Sequence, residues 1–93
     1  MKDKHKYVIG RLDGANHPDV DLTPFKGAKK GVSRNHAEIM LAENRQVLLL
    51  DLDSTNGTWI NGEKIAPREP TPIHNGDLIS LGKLVIQALI RKY

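Results

Sequence analysis

The sequence contains no cysteine, which excludes disulfide frameworks and thiolate metal sites. Its four aromatic residues are too few and too scattered to form a stacking surface for nucleic-acid bases. No apolar run approaches the roughly 18 residues of a membrane helix, and the charged N-terminus is not followed by the apolar segment of a secretory signal. We therefore expect a cytoplasmic protein that does not bind membranes.

The charge and length of the chain set broad limits on its partners. Its 93 residues suit one domain with a single hydrophobic core. The net charge of +3 is a mild excess that favours anionic partners without identifying one. The four histidines share no metal-ligand spacing, so neither a metal nor another cofactor is predicted.

Short β-branched and leucine-rich runs alternate with turn residues, a pattern typical of many short strands. Three pairs of runs are joined by turn signals, including Asn61-Gly62 and Gly82-Lys83. The predicted pairs are residues 36–41 with 46–52, 59–60 with 64–65, and 78–81 with 84–90. No segment is convincingly helical, so the pattern predicts an all-β sandwich.

Two further regions are not predicted to form central strands. Residues 13–31 are rich in turn-forming and charged residues, and we interpret them as loop with one short strand near residues 20–22. Three prolines keep residues 66–72 out of helices and out of central strands.

Three polar clusters fall where a predicted strand meets a loop: Gly10-Arg11, residues 33–36 (Ser-Arg-Asn-His) and residues 54–58 (Ser-Thr-Asn-Gly-Thr). The loops of a β-sandwich gather at its ends, so the three clusters can converge at one edge. Together they would supply the arginine forks, hydroxyls and amide that bind the three oxygens of a dianionic phosphate.

The order of motifs between Gly10 and Gly82 closely resembles that of the forkhead-associated (FHA) domain. The motifs are, in order, Gly-Arg, Ser-x-x-His, Ser-Thr-Asn-Gly-Thr, Asn-Gly, Gly-Asp and Leu-Gly. Residues 19–25 resemble bacterial members in particular. The resemblance implies a single FHA domain over residues 1–93, with a motif-bearing core at about 7–90. It implies an FHA-like β-sandwich (SMAD/FHA type) of about eleven short strands, with ligand loops at one end.

The resemblance also implies a non-catalytic, phosphothreonine-dependent binding module in Ser/Thr kinase signalling. Arg11 would bond the phosphate, Ser33 would donate its hydroxyl to a phosphate oxygen, and Arg34 would contact phosphate or peptide. Thr55 would lie against the phosphothreonine, and Asn56 would bond the peptide main chain. The implied partner is a phosphothreonine-containing protein or peptide, either a Ser/Thr kinase or its substrate.

Gly10, His36 and Gly57 match positions that support the site. Gly57 is implied to permit the turn, and His36 to brace the Ser33 loop against residues 54–58. The sequence departs from the family at Gly31, where some members place a side chain that reads the third residue after the phosphothreonine.

Other functions were weighed from the residues alone. A basic nucleic-acid-binding β-domain needs a basic stripe with aromatic residues, so nucleic acid is disfavoured as a partner. An FHA fold that recognises an unphosphorylated partner is a second alternative, against which the presence of Arg11, Ser33 and Asn56 argues. Ser33 and His36 would point in different directions and no Gly-x-Ser-x-Gly motif is present, so no enzyme is predicted. The basic stretch formed by Lys26, Lys29, Lys30 and Arg34 is either a solvated loop or a rim that attracts the peptide.

Overall fold

The computed structural model describes residues 5–91, which form nine β-strands and a single turn of 3-10 helix. The strands are β1 Lys6–Gly10, β2 Val20–Asp21, β3 Asn35–Leu41, β4 Val47–Asp51, β5 Thr58–Ile60, β6 Glu63–Lys64, β7 Thr71–Ile73, β8 Leu78–Leu81 and β9 Leu84–Gln87. The 3-10 helix, Thr23–Phe25, was not predicted; Pro24 suits its first turn because a proline has no N–H to leave unpaired there.

The strands form two sheets, ordered β2-β1-β3-β4-β7 and β6-β5-β8-β9. Every pair is antiparallel except β1 with β2. The sheets share one buried core, made of Ile9, Leu22, Val32, Ala37, Leu49, Ile65, Ile73, Ile79, Leu81 and Leu84. The predicted all-β sandwich is confirmed. The described residues show nine strands and two isolated bridges where the resemblance implied about eleven strands.

The three predicted strand pairs are confirmed as β3 with β4, β5 with β6 and β8 with β9, and the turn residues of the last two pairs suit their backbone. Asn61 and Gly62 both have positive φ (49° and 86°), as a two-residue hairpin turn with Asn-Gly requires. Gly82 also has a positive φ, of 61°, at the first position of the β8–β9 turn. The short strand near residues 20–22 is β2. Pro72 lies in β7, an edge strand, as expected of a residue that cannot donate to a neighbouring strand.

The register brings three strand ends to one end of the sandwich. Gly10, the last residue of β1, is opposite Asn35 at the start of β3. Ala37 of β3 is opposite Asp51, the last residue of β4. The loops that follow β1, precede β3 and follow β4 therefore meet at this end, which we call the loop end.

Candidate functional site

Gly10 brings the first two polar clusters into direct contact. A β-bulge interrupts the β1–β3 pairing between Ile9 and Gly10. A Cβ atom at Gly10 would overlap the carbonyl oxygen of Arg34, so only glycine lets the loop before β3 approach this closely. The Arg11 N–H donates to the same carbonyl at 3.1 Å. The start of one loop is thus fixed to the end of the other.

Two arginine side chains lie at the loop end. The Arg11 Nε donates to the Val32 carbonyl at 2.8 Å, and its side chain is only 28% exposed. This bond leaves the two terminal nitrogens of the guanidinium group available to an anion. Arg34 is 64% exposed, with its Nε 3.6 Å from the Asp13 carboxylate.

His36 is fully buried and joins the second cluster to the third. Its Nδ1 accepts from the Ser33 N–H at 3.0 Å, and its Nε2 donates to the Gly57 carbonyl at 2.8 Å. An amide only donates and a carbonyl only accepts, so these partners assign a neutral ring with its proton on Nε2. Burial lowers the pKa of His36, and this effect outweighs the Gly57 carbonyl and the Asp51 carboxylate, which both favour the charged form.

The buried Asp51 carboxylate organises the loop between β4 and β5. One oxygen accepts from the hydroxyls of Ser54 at 2.6 Å and Thr58 at 2.7 Å, and the other from the Ser54 N–H at 3.3 Å. The Ser54 hydroxyl in turn accepts from the Gly57 N–H at 3.0 Å. Gly57 has φ of 86°, and a Cβ there would lie 2.9 Å from the Trp59 ring, so this turn requires glycine.

Three predicted ligand residues meet across the two loops. The Thr55 N–H donates to the Ser33 Oγ at 3.3 Å, so the Ser33 hydroxyl accepts there and keeps its own hydrogen to donate. The Asn56 side-chain amide donates to the Gly31 carbonyl at 3.0 Å. Within residues 5–91 no group donates to its Oδ1, so that oxygen is available to a ligand.

The structure adds residues that the sequence did not mark. The Asn16 side-chain amide donates to the carbonyls of Arg11 and Arg34, both at 3.1 Å. The Lys83 N–H donates to the Lys30 carbonyl at 2.8 Å, which sets the β8–β9 turn beside the basic loop. Gly82-Lys83 stands out in the sequence only as a hairpin turn, and no local motif places either Asn16 or Lys83 at the loop end.

The described part of the chain offers no metal site and no membrane-spanning helix, and its open groove lies apart from the loop-end residues. No group of three or more histidine and carboxylate side chains among residues 5–91 is arranged to hold a metal ion. No helix in the described part of the chain has both the length and the apolar character needed to cross a membrane. An open groove of about 570 Å³ has Ile60, Lys64 and Thr71 among its lining residues, and none of the predicted site residues lines it.

The fold and the loop end define a β-sandwich with a cation-rich, hydroxyl- and amide-bearing surface suited to an anionic ligand. The family model for the FHA domain matches residues 7–82, and the chain belongs to this family. FHA domains are binding modules and are generally non-catalytic.

Two relatives illustrate the similarity at the level of sequence. FraH from Nostoc sp. is 40% identical over 75 residues, which cover 81% of this chain and 25% of FraH. Human RNF8, an E3 ubiquitin-protein ligase, is 37% identical over 83 residues, which cover 88% of this chain and 16% of RNF8. The chain thus spans a quarter or less of these relatives. The match to FraH agrees with the resemblance to bacterial members.

Two solved structures are similar in fold. One, from a structural and functional analysis of phosphothreonine-dependent FHA domain interactions, has a TM-score of 0.75 and 29% identity, covering 99% of this chain and 83% of that chain. The other is the N-terminal FHA domain of Saccharomyces cerevisiae RAD53 in complex with a phosphothreonine peptide. Its TM-score is 0.67 at 34% identity, covering 83% of this chain and 56% of that chain.

Proposed function

We propose that this chain is a non-catalytic module that binds phosphothreonine-containing proteins or peptides in Ser/Thr kinase signalling. The observation that carries the proposal is the meeting of three sequence-distant clusters at the loop end, joined by Gly10 and His36. Solved FHA domains similar to this chain include one in complex with a phosphothreonine peptide, which supports the same ligand class here.

In this proposal the phosphate is bound by Arg11, Ser33 and Arg34. The terminal nitrogens of Arg11 and the Ser33 hydroxyl hydrogen make no hydrogen bond within residues 5–91, although one of these nitrogens lies 3.8 Å from the Asp13 carboxylate. Arg34 is exposed and adds a second positive charge. A phosphate monoester carries close to two negative charges and three acceptor oxygens at neutral pH, so charge-assisted bonds of this kind are the strongest available to it.

Thr55 and Asn56 would contact the rest of the ligand. The Asn56 Oδ1 can accept from a peptide N–H while the Asn56 amide group stays bonded to the Gly31 carbonyl. Thr55 lies beside Ser33 and would contact the phosphothreonine side chain. Selection of threonine over serine requires burial of the γ-methyl group, which contributes about 0.8 kcal/mol, or about fourfold in affinity.

A basic rim borders the proposed site, formed by Lys26, Lys29, Lys30 and Lys83. All four are exposed, and the backbone bond between Lys83 and Lys30 places two chain segments together. Residues 22–37 and 78–91 contain no acidic residue, so the positive charge of the rim is not offset within these segments. The rim would attract phosphorylated, acidic peptides and make their binding dependent on salt.

The proposed ligand also suggests where the domain acts and what it meets there. Phosphothreonine is made by ATP-dependent kinases, so we place the module in the cytoplasm with a Ser/Thr kinase or its substrate as partner. Nucleic acid is not favoured, because the four aromatic residues are few and scattered along the sequence.

Calorimetric titration with matched peptides tests the proposal. A phosphothreonine peptide selected from a degenerate library is compared with its phosphoserine and threonine counterparts. We expect binding in the order phosphothreonine, phosphoserine, threonine, with the last undetectable. Arg11→Ala should weaken phosphothreonine binding by about tenfold or more, because a hydrogen bond to a charged group is lost.

Lys6→Ala provides the control for removal of one positive charge. Lys6 is exposed and begins β1, so it lies at the opposite end of the strand from Arg11. It should leave affinity nearly unchanged. Equal affinity for the three peptides, or equal losses in the two variants, would contradict the proposed function.

A further inference from the structure

The Asp13 carboxylate lies between the two arginines of the proposed phosphate site. Its Oδ2 is 3.8 Å from a terminal nitrogen of Arg11 and 3.6 Å from the Nε of Arg34. Among residues 5–91, no other carboxylate lies within ion-pair distance of either guanidinium group. The loop end therefore contains its own anionic group, contributed by the same chain.

The backbone holds Asp13 in this place without using its carboxylate. Asp13 and Asn16 exchange backbone hydrogen bonds of 3.3 and 2.9 Å, and Gly14 adopts the positive φ of 58° inside this turn. The Asn16 side chain then ties the turn to the carbonyls of Arg11 and Arg34. None of these bonds needs a charge at position 13, so the turn does not account for an acidic residue there.

We propose that Asp13 is an intramolecular competitor that occupies Arg11 and Arg34 and sets the affinity of the site for phosphate. This inference rests on the proposed function. Both ion pairs are longer than a hydrogen bond and involve a carboxylate that is 48% exposed, so each contributes little free energy. A phosphate group with about two charges and three oxygens outcompetes such a carboxylate, but it must displace or tolerate a like charge to do so.

The competitor lowers the affinity for free anions as well as for the phosphothreonine peptide. A small anion contacts only the two arginines and Ser33. The free energy of these contacts must offset the loss of the ion pairs that Asp13 makes with Arg11 and Arg34. A phosphothreonine peptide adds contacts to Thr55 and Asn56. Because this penalty is similar for both ligands, their relative affinity is set by the contacts to Thr55 and Asn56.

The test is the substitution Asp13→Asn, which keeps the size of the side chain and the backbone bonds of the turn. Removal of the like charge should tighten phosphothreonine-peptide binding by about three- to tenfold at low ionic strength, and the gain should shrink as salt screens the repulsion. Inorganic phosphate, titrated as a competitor of the peptide, should also bind more tightly to the variant.

Glu43→Gln is the matched control, since it removes one negative charge from the exposed β3–β4 turn. This turn is separated from the loop end by the length of β3, about 20 Å at 3.3 Å per residue. In an Arg11→Ala background the gain from Asp13→Asn should also fall, because one of the two arginines that Asp13 occupies is gone.

The outcomes separate this inference from the function on which it rests. If the wild type binds the phosphothreonine peptide and Asp13→Asn leaves the affinity unchanged or weakens it, Asp13 is not a competitor. The proposed binding function would still stand. An equal gain from Glu43→Gln would overturn it too, as a general charge effect. If neither wild type nor Asp13→Asn binds any phosphothreonine peptide, both proposals fail.

Discussion

At the scale of single residues, His36 connects the fold most directly to the proposed site. Its two ring nitrogens bond the backbone of Ser33 and of Gly57, which belong to different loops. The Ser33 bond requires an unprotonated Nδ1 and the Gly57 bond a proton on Nε2, so the two bonds together require the neutral ring. Protonation of Nδ1 would replace the acceptor of the Ser33 N–H with a second N–H donor. It would also place a positive charge on a fully buried side chain.

The stability of the domain should therefore fall as the pH drops below about 6.5, the ordinary pKa of histidine. Because burial lowers the pKa of His36 in the folded state, the unfolded chain binds a proton in this range that the folded chain does not. The free energy of unfolding should decrease by up to about 1.4 kcal/mol per pH unit and be level above pH 7. Urea denaturation without peptide, between pH 5 and 8, measures this slope.

His36→Gln is the control, because glutamine has no such titration. It should lower stability by about 1–3 kcal/mol at pH 7 through poorer hydrogen bonding and show a flatter profile between pH 5 and 7. Hydrogen bonds from Thr23 and Asn61 lower the pKa values of Asp21 and Asp77, so the stability they contribute is lost only as the pH falls toward about 4, below the measured range. Identical slopes for wild type and His36→Gln would show that His36 does not control the acid response.

At the scale of elements, the loop end depends on loops that approach closely through glycine. Gly31 precedes the buried Val32. The Gly31 carbonyl accepts a hydrogen bond from the Asn56 side-chain amide. Its φ is 87°, and a Cβ there would lie 2.6 Å from the Asn56 side-chain nitrogen. The missing side chain at this position thus has a structural consequence, because it lets Asn56 lie against the loop before β3.

Gly31→Ala should therefore impair peptide binding more than it impairs folding. Alanine at this φ costs about 1–2 kcal/mol of stability, and its Cβ must push the Asn56 amide away from the Gly31 carbonyl. Displacement of Asn56 should weaken phosphothreonine-peptide binding by about tenfold, since a main-chain hydrogen bond is lost. Thermal denaturation and peptide titration on the same preparation separate the two effects.

Gly62→Ala is the matched control for backbone strain. Gly62 has φ of 86°, but no other group lies within 4 Å of a Cβ placed there. It should lose a similar amount of stability and keep its affinity. A parallel loss of affinity in both variants would mean that general destabilisation, rather than the position of Asn56, explains the result.

At the scale of the whole molecule, the predictable features were those encoded by neighbouring residues. Asn61-Gly62 defines its hairpin because both residues tolerate positive φ, and the alternating run from Ala37 to Leu41 indicates a strand. The prolines of residues 66–72 kept that segment at a sheet edge. The all-β sandwich followed from these local signals. The 3-10 helix at Thr23–Phe25 was missed, because three residues carry no helical periodicity.

The candidate site was predictable only where motifs mark it. The polar clusters at Gly10-Arg11, residues 33–36 and residues 54–58 stand out in the sequence, and strand pairing brings them together. Asp13 and Lys83 could not be identified, because each sits in an ordinary turn. Lys83 reaches the loop end through a backbone bond to the distant Lys30, and the Asp13 turn is tied to the distant Arg34 by the Asn16 side chain.

The central claim is that the loop end binds phosphothreonine. The most direct measurement is an NMR titration of the isotopically labelled chain with a phosphothreonine peptide and, separately, with its threonine counterpart. The account predicts that only the phosphorylated peptide shifts the amide signals of Ser33, Arg34, Thr55 and Asn56, while the β3–β4 turn is unaffected. Shifts of the same signals by both peptides, or phosphate-dependent shifts centred away from the loop end, would contradict it.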